Sequence, residues 1–323
     1  MPLADIVGHD RVIEVFRRAI RSGKTSHAYI FEGPAGCGRR STALAIIQTL
    51  FCQADGDDAC GVCPSCRKVA GGSHADIRVV EPDGQFIKID QVRELQRELS
   101  LRPYEAPRKA CLIEQAERFN LSSANALLKT LEEPPGNAII ILLTENAGSL
   151  LPTVRSRCQL IRFAALAADH VRLLLERSGV ASETARLLAP MAGGSMEAAA
   201  SLDDDRLTLR RETLLQHLSG LDSSRIATVF NASEELGGSR DETLESLDLL
   251  ISCLRDVLQL ASGGSEIANE SIRPALYSLA QRFPLEKALR ITEKTLETRR
   301  AVQRNANGKL ALDRLFLSIA ATS

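Results

Sequence analysis

The sequence predicts an α/β domain built on a parallel sheet, then a small helical domain, then a larger all-helical one. Three observations carry this. Over the first 163 residues, short apolar runs alternate with helical patterns, and compact apolar runs bounded by turns are strands buried on both faces of a parallel sheet. From about Ala164 the strand signal disappears and apolar residues recur at helical spacing. A chain of 323 residues is also too long for one ordinary domain.

The elements follow in order. His27–Phe31 is a strand running into Gly33-Pro34-Ala35-Gly36-Cys37-Gly38, after which Ser41–Phe51 reads as a helix. Ile77–Val80, Ala110–Glu114 and Ala138–Thr144 are the next strands, with crossover helices at Ile89–Leu99 and Ser122–Glu133. The latter opens on capping residues and stops at Pro134-Pro135. Leu151–Cys158 is a short helix presenting Arg155 and Arg157 just before a strand at Gln159–Phe163. Residues 1–163 thus form the α/β domain. Residues 164–205 hold two or three short helices with a Gly193-Gly194-Ser195 break, and Asp203-Asp204-Asp205 marks the next boundary. Residues 206–323 carry helical segments near 206–219, 223–236, 241–262, 267–282 and 286–304, then a final amphipathic stretch, with breaks at Gly237-Gly238 and Ser262-Gly263-Gly264.

Composition excludes several classes. Lys+Arg 40 against Asp+Glu 41 leaves a net charge of −1, so any nucleic-acid contact must come from a local patch. Aromatic residues are 4%, with no Trp, which leaves little for a base-stacking platform. No stretch approaches the roughly 18 consecutive apolar residues of a membrane span. The opening MPLADIVGHDRVIEVF carries acids and lacks an apolar signal core, so a cytoplasmic protein is expected.

A strand, then G-x-x-x-x-G, then a helix is the framework of a phosphate-binding loop, in which backbone N–H groups close around phosphate oxygens. Gly33, Gly36 and Gly38 supply it here. A working loop then needs Lys to reach the phosphates and Ser or Thr to hold magnesium. Arg39 and Arg40 occupy those positions. Arg39 could still touch a phosphate, though its planar fork is not a compact ammonium. Arg40 cannot ligate magnesium, and Ser41 is rotated away by roughly 100°. The partner strand, which should end in Asp-Glu, reads Glu114-Gln115. The loop therefore predicts weak or absent ATP binding and no hydrolysis; the bland reading is a chance glycine-rich turn.

Cys52-x7-Cys60-x2-Cys63-x2-Cys66 places four of the eight cysteines within fifteen residues. Four soft ligands can close a tetrahedral zinc shell. An iron–sulfur cluster is the other metal reading, but no downstream Cys-Pro completes that run. Disulfide-paired or unligated cysteines are the non-metal alternative, disfavoured by the spacing and by a reducing compartment. Cys37, Cys111, Cys158 and Cys253 read as small core residues. Arg155 and Arg157, by spacing alone, are solvated charges.

HAYIFEGPAGCG, the four-cysteine insertion behind the first helix of the sheet domain, NLSSANALLKTLEEPPGNAIIILLTEN, LLPTVRSRCQLIRF and RNANGKLALDRLFL together resemble the delta-prime subunits of the bacterial DNA polymerase III clamp loader, members of the AAA+ group. The resemblance spans nearly the whole chain. The cysteine insertion is shared by the motor (gamma/tau) subunits and delta-prime; the altered nucleotide loop favours the latter. The resemblance implies an AAA+ module, made of a P-loop-type α/β domain and a small helical lid, followed by a helical collar that joins the other subunits. It implies that Arg157, in Ser-Arg-Cys, acts in trans as an arginine finger on a neighbouring subunit's ATP. It also implies a structural Zn²⁺ on Cys52, Cys60, Cys63 and Cys66, and a vestigial phosphate loop at Gly33, Gly36, Gly38 and Arg39. Active members place an arginine two residues after the lid's Gly-Ser; Glu197 stands there, while Thr144 matches a γ-phosphate-sensing position.

The expected partners are the motor (gamma/tau) and delta subunits, with the sliding clamp and primer–template DNA inside the complex, and no membrane. The complex would be a DNA-directed DNA polymerase, a nucleotidyltransferase, but polymerase chemistry is not in this chain. The helix opening at Asn120-Leu121-Ser122-Ser123 offers N–H groups to a DNA phosphate. The alternatives are a gamma/tau-like ATP-binding motor subunit, an independent P-loop ATPase, or a zinc-ribbon nucleic-acid reader. ATP turnover and duplex binding by the isolated chain separate them.

Overall fold

The computed structural model describes all residues except 222–224, 266 and 322–323, together with the side chain of Asp204. The start of the segment expected at 223–236 and the last two residues of the final helical region therefore lie outside the described residues. The chain divides into two compact units, Met1–His170 and Val171–Ser323.

The first unit is a five-stranded sheet, all of whose pairings are parallel: β1 (Ala28–Glu32), β2 (Ile77–Val80), β3 (Ala110–Ile113), β4 (Ile139–Thr144) and β5 (Gln159–Arg162), in the order β2-β3-β4-β1-β5. Around it run α1 (Asp10–Arg21), α2 (Arg39–Phe51), α3 (Pro64–Ala70), α4 (Ile89–Ser100), α5 (Leu121–Glu132) and α6 (Pro152–Arg155). Strand alternation deals side chains to two faces. Tyr29, Phe31, Ile139 and Ile141 pack with Ile13 and Phe16 of α1 and Ile46 and Ile47 of α2. Ala28, Ile30, Ile140 and Leu142 pack with Val92 and Leu95 of α4 and Leu127 and Leu131 of α5. With both faces covered, β4 is buried at every position, which is why its sequence shows no polar alternation. At the sheet's edge, β5 is largely exposed.

Two boundaries differ in ways that bear on the site. Arg39 and Arg40 are already helical, since α2 begins directly at Gly38. The expected helix over Leu151–Cys158 is one turn that ends at Arg155, so Arg157 lies in the turn behind it.

The second unit is helical. It contains α7 (Ala168–Arg177, which begins in the first unit), α8 (Ser182–Met191), α9 (Met196–Ser201), α10 (Asp204–Gly220), α11 (Ile226–Leu236), α12 (Arg240–Ala261), α13 (Arg273–Arg282), α14 (Leu285–Gln303) and α15 (Gly308–Ala321). Asp203 caps α10 by accepting the Arg206 N–H. Arg210 closes the end of α11, donating to the Leu236 carbonyl at 2.8 Å. The segment expected as one helix over 267–282 forms α13 only from Arg273. Upstream, the buried Asp256 carboxylate draws in the N–H groups of Ala268 and Asn269 at 3.0 and 2.8 Å, and Pro274 suits a helix start.

Candidate functional site

The loop from β1 to α2 has the glycine framework, and each glycine has a local reason. A Cβ on Gly33 would sit 2.6 Å from the Phe163 carbonyl, so the chain leaves the sheet only without one. Gly36 and Gly38 have φ of +67° and +98°. His9 holds the loop from below: its Nε2 is 2.7 Å from the Cys37 carbonyl, which can only accept, so Nε2 carries the proton.

Beside the loop, at the positions where a working loop holds magnesium and its acid, lies an ion pair. Arg40 Nε donates to Glu114 Oε1 at 2.6 Å, joining the first turn of α2 to the residue just past β3. A guanidinium thus stands where a working loop needs a hydroxyl, and its counter-charge stands where the working acid would be. Arg39, half-buried, opens α2. Gln115 has a φ of +48°, marking the sharp exit from β3. Thr144 is turned to its own loop, with Oγ1 3.2 Å from both the carbonyl and the N–H of Asn146. The neighbouring Glu32 accepts the Ala147 N–H at 2.9 Å and pairs with Arg162; that N–H and that guanidinium hold its carboxyl below the usual range. In the second unit, Glu197 is exposed in the first turn of α9, which Ser195 caps.

The cysteine insertion brings its four residues together. The Sγ atoms of Cys52, Cys60, Cys63 and Cys66 lie within 4.8 Å of one another. Zinc–thiolate bonds of about 2.3 Å place tetrahedral sulfurs about 3.8 Å apart, so the set fits a metal ion with little adjustment. Backbone N–H groups aim at the sulfurs, as anionic thiolates require: Cys60 N at Cys52 Sγ (3.3 Å), Cys63 N at Cys60 Sγ and Cys66 N at Cys63 Sγ (both 3.4 Å). Burial pushes the Cys63 thiol up, but the N–H groups of Gln53 and Cys66 outweigh it and bring it down to about 6. Burial raises Cys66 to about 12. A cation in the cluster would hold all four as thiolates. The cluster can hold a metal ion. Of the other cysteines, Cys37, Cys111 and Cys253 are buried as expected, while Cys158 is only partly buried at the edge of the core; burial raises the thiols of Cys158 and Cys253 to about 12.

Arg157 is one-third exposed and engaged within its own chain. Its Nε and Nη2 bond Glu132 Oε1, the former at 2.7 Å, and its Nη1 donates to the Thr153 carbonyl at 2.9 Å. Arg155 is exposed, and its charge helps lower the Glu32 carboxyl. At the start of α5 the Ser123 N–H, expected to be free for a phosphate, is taken by Asn120 Oδ1 at 2.8 Å: the capping residue that starts the helix also satisfies the donor.

Two residues that matter here escape sequence reading. Glu132 reads as a plain helix-end acid. Asp58 reads as one of several loop acids, yet it accepts the N–H groups of Leu3 and Ala4 (2.6 and 2.9 Å) and Arg17 Nη2 (2.8 Å), tying the cysteine insertion to α1. The only advance signal for either is an acid set close to a motif. Among the described residues no helix is long and apolar enough to cross a membrane.

A five-stranded parallel sheet in this order, with a glycine loop between β1 and α2, defines an α/β domain of the AAA+ class in which two arginines follow the loop's last glycine. The sequence model described as DNA polymerase III, delta subunit, matches residues 8–167, and that described as DNA polymerase III, delta subunit, C terminal, matches 206–320. The DNA polymerase III subunit delta' of Bacillus subtilis is 32% identical over 259 residues, covering 79% of each chain. A gamma/tau subunit from Mycobacterium tuberculosis is 33% identical over 226 residues, covering 68% of this chain and 39% of its own. A solved gamma subunit-related protein of Thermotoga maritima aligns over 96% of this chain and 98% of its own at 20% identity, with a TM-score of 0.39. The chain belongs to the family of DNA polymerase III delta-prime subunits.

Proposed function

We propose that this chain is a non-hydrolysing stator of the DNA polymerase III clamp loader. It assembles with the motor (gamma/tau) and delta subunits, helps place the sliding clamp on primed DNA, and supplies Arg157 in trans to a neighbouring subunit's ATP. The observation that carries the reading is the Arg40–Glu114 pair, which puts a protein cation in the magnesium-ligand position and neutralises the acid beyond β3. It also separates this reading from the motor-type alternative, since the gamma/tau relatives are almost as similar in sequence. Arg157 fits its role by lying partly exposed in a turn, and a guanidinium stays charged and bonds two phosphate oxygens at once. The four cysteines hold a structural zinc, a reading supported by four sulfurs within 4.8 Å of one another. Glycines 33, 36 and 38 with Arg39 are a vestigial phosphate loop. The three-part division at 163 and 205 is supported by two matched regions that leave 168–205 between them. The compartment is the cytoplasm, where the thiols stay reduced for metal. The test is ATP turnover: the isolated chain shows none above background with magnesium, and turnover of about 1 s⁻¹ or more would sink the reading.

A further inference from the structure

Arg157 is held at all three guanidinium nitrogens by its own chain, and Glu132 takes two of them. That acid closes α5, where exposed carbonyls make the helix end negative and a carboxylate is disfavoured. Glu133 follows directly, so two acids sit at the wrong end of one helix. A cation there offsets both. An arginine edge bound to a carboxylate is also the edge it presents to phosphate. We infer that Glu132 is a positioning residue that competes with the neighbouring subunit's phosphate for Arg157: it occupies the phosphate-binding edge and yields it to a more highly charged anion. The inference rests on the trans-acting role proposed above. The pair is partly exposed, with side-chain exposures of 33% and 48%, so it is a weak competitor that lowers the engagement of Arg157 without blocking it.

The experiment uses the full chain assembled with motor and delta subunits, and reads kcat/KM for ATP without DNA or clamp. Glu132→Gln keeps the size and removes the charge. We expect kcat/KM to rise about two- to fivefold, the range that loss of a partly exposed ion pair allows. The rise should vanish when Arg157→Ala is added, which a merely structural role for Glu132 does not explain. Glu132→Asp, with its shorter reach, should give a smaller rise and serves if Glu132→Gln fails to assemble. An unchanged or lowered kcat/KM in Glu132→Gln, or the same rise in the Arg157→Ala background, overturns the competition while leaving the trans-acting arginine in place. If Arg157→Ala alone leaves hydrolysis unchanged, the trans-acting role itself falls, and this inference with it.

Discussion

Asp76 is a buried acid whose surroundings favour its charged form. It is 3% exposed, and its carboxylate accepts the N–H groups of Tyr104, Glu105 and Ala106 at 2.7 to 2.8 Å, stitching the stretch between α4 and β3 to the sheet. Burial alone would raise its carboxyl, but the three donors outweigh burial and lower it. A carboxyl held below its unfolded value of about 3.9 adds stability that is present above that pH and lost as pH falls through the folded value. Asp76→Asn should therefore lower stability at neutral pH by about 1–3 kcal/mol, because an amide NH₂ would face backbone donors, and should flatten the acid limb below about pH 4. Urea melts at pH 7 and pH 3.5 check both effects; an unchanged acid limb would show the charge to be idle. Arg157 makes the contrasting prediction. Arg157→Ala should cost little stability, since its ion pair is partly exposed, while hydrolysis at the neighbouring site of the assembled loader falls by roughly 10³-fold or more. Arg157→Lys should restore only part of it, because a point charge lacks the fork. Arg155→Ala, altering an exposed side chain outside the Glu132 contact, is the control.

At the scale of elements, the centre of the sheet was readable because β3 and β4 are buried at every position and so appear as unbroken apolar runs, whereas β5 at the edge is largely exposed. The helix after Gly38 was readable from its apolar content, though it starts at Arg39 and not at Ser41. Arg157 stood out only through its motif, since nothing in the spacing of Arg155 and Arg157 says which one turns inward. That difference follows from α6 stopping after one turn, which leaves Arg157 in the turn behind it with its guanidinium reaching the Thr153 carbonyl and the Ser156 hydroxyl. The Arg40–Glu114 bond joins residues 74 apart, so it became visible only once β3 lay beside α2. The cysteine insertion was the plainest of all, its spacing alone bringing four sulfurs together. It carries a prediction of its own: Cys63→Ser, or a strong chelator on the native chain, should release the metal and lower the melting temperature by several degrees. Asp58 and Gln48 tie this insertion to α1 and α2, the latter through Gln48 Nε2 and the Cys66 carbonyl at 2.7 Å, so the loss should spread beyond the loop. Elemental analysis showing iron, or a melting temperature indifferent to chelation, would contradict it.

For the whole molecule, two compact units imply separable losses. Deleting the stretch after Asn305 removes α15 and the buried Leu312, Leu315, Phe316 and Ile319. At about 2–5 kcal/mol for each large core side chain, that exceeds what one domain holds in reserve. The truncated chain should fail to assemble with motor subunits while the Met1–His170 unit still resists proteolysis; full assembly would refute the collar assignment. The Arg40–Glu114 pair has a further consequence, for the routes by which this chain could change. Replacing Arg40 by a hydroxyl residue supplies a magnesium ligand but strips Glu114 of its counter-charge. Replacing Glu114 by Asp pulls the acid back from an arginine that still blocks the cation's place. Either of these two steps disturbs one half of the pair without completing the other, and only their coordinated change keeps the charges matched. An ion pair that adds little to folding thus makes the two positions interdependent, each fixing what the other can become.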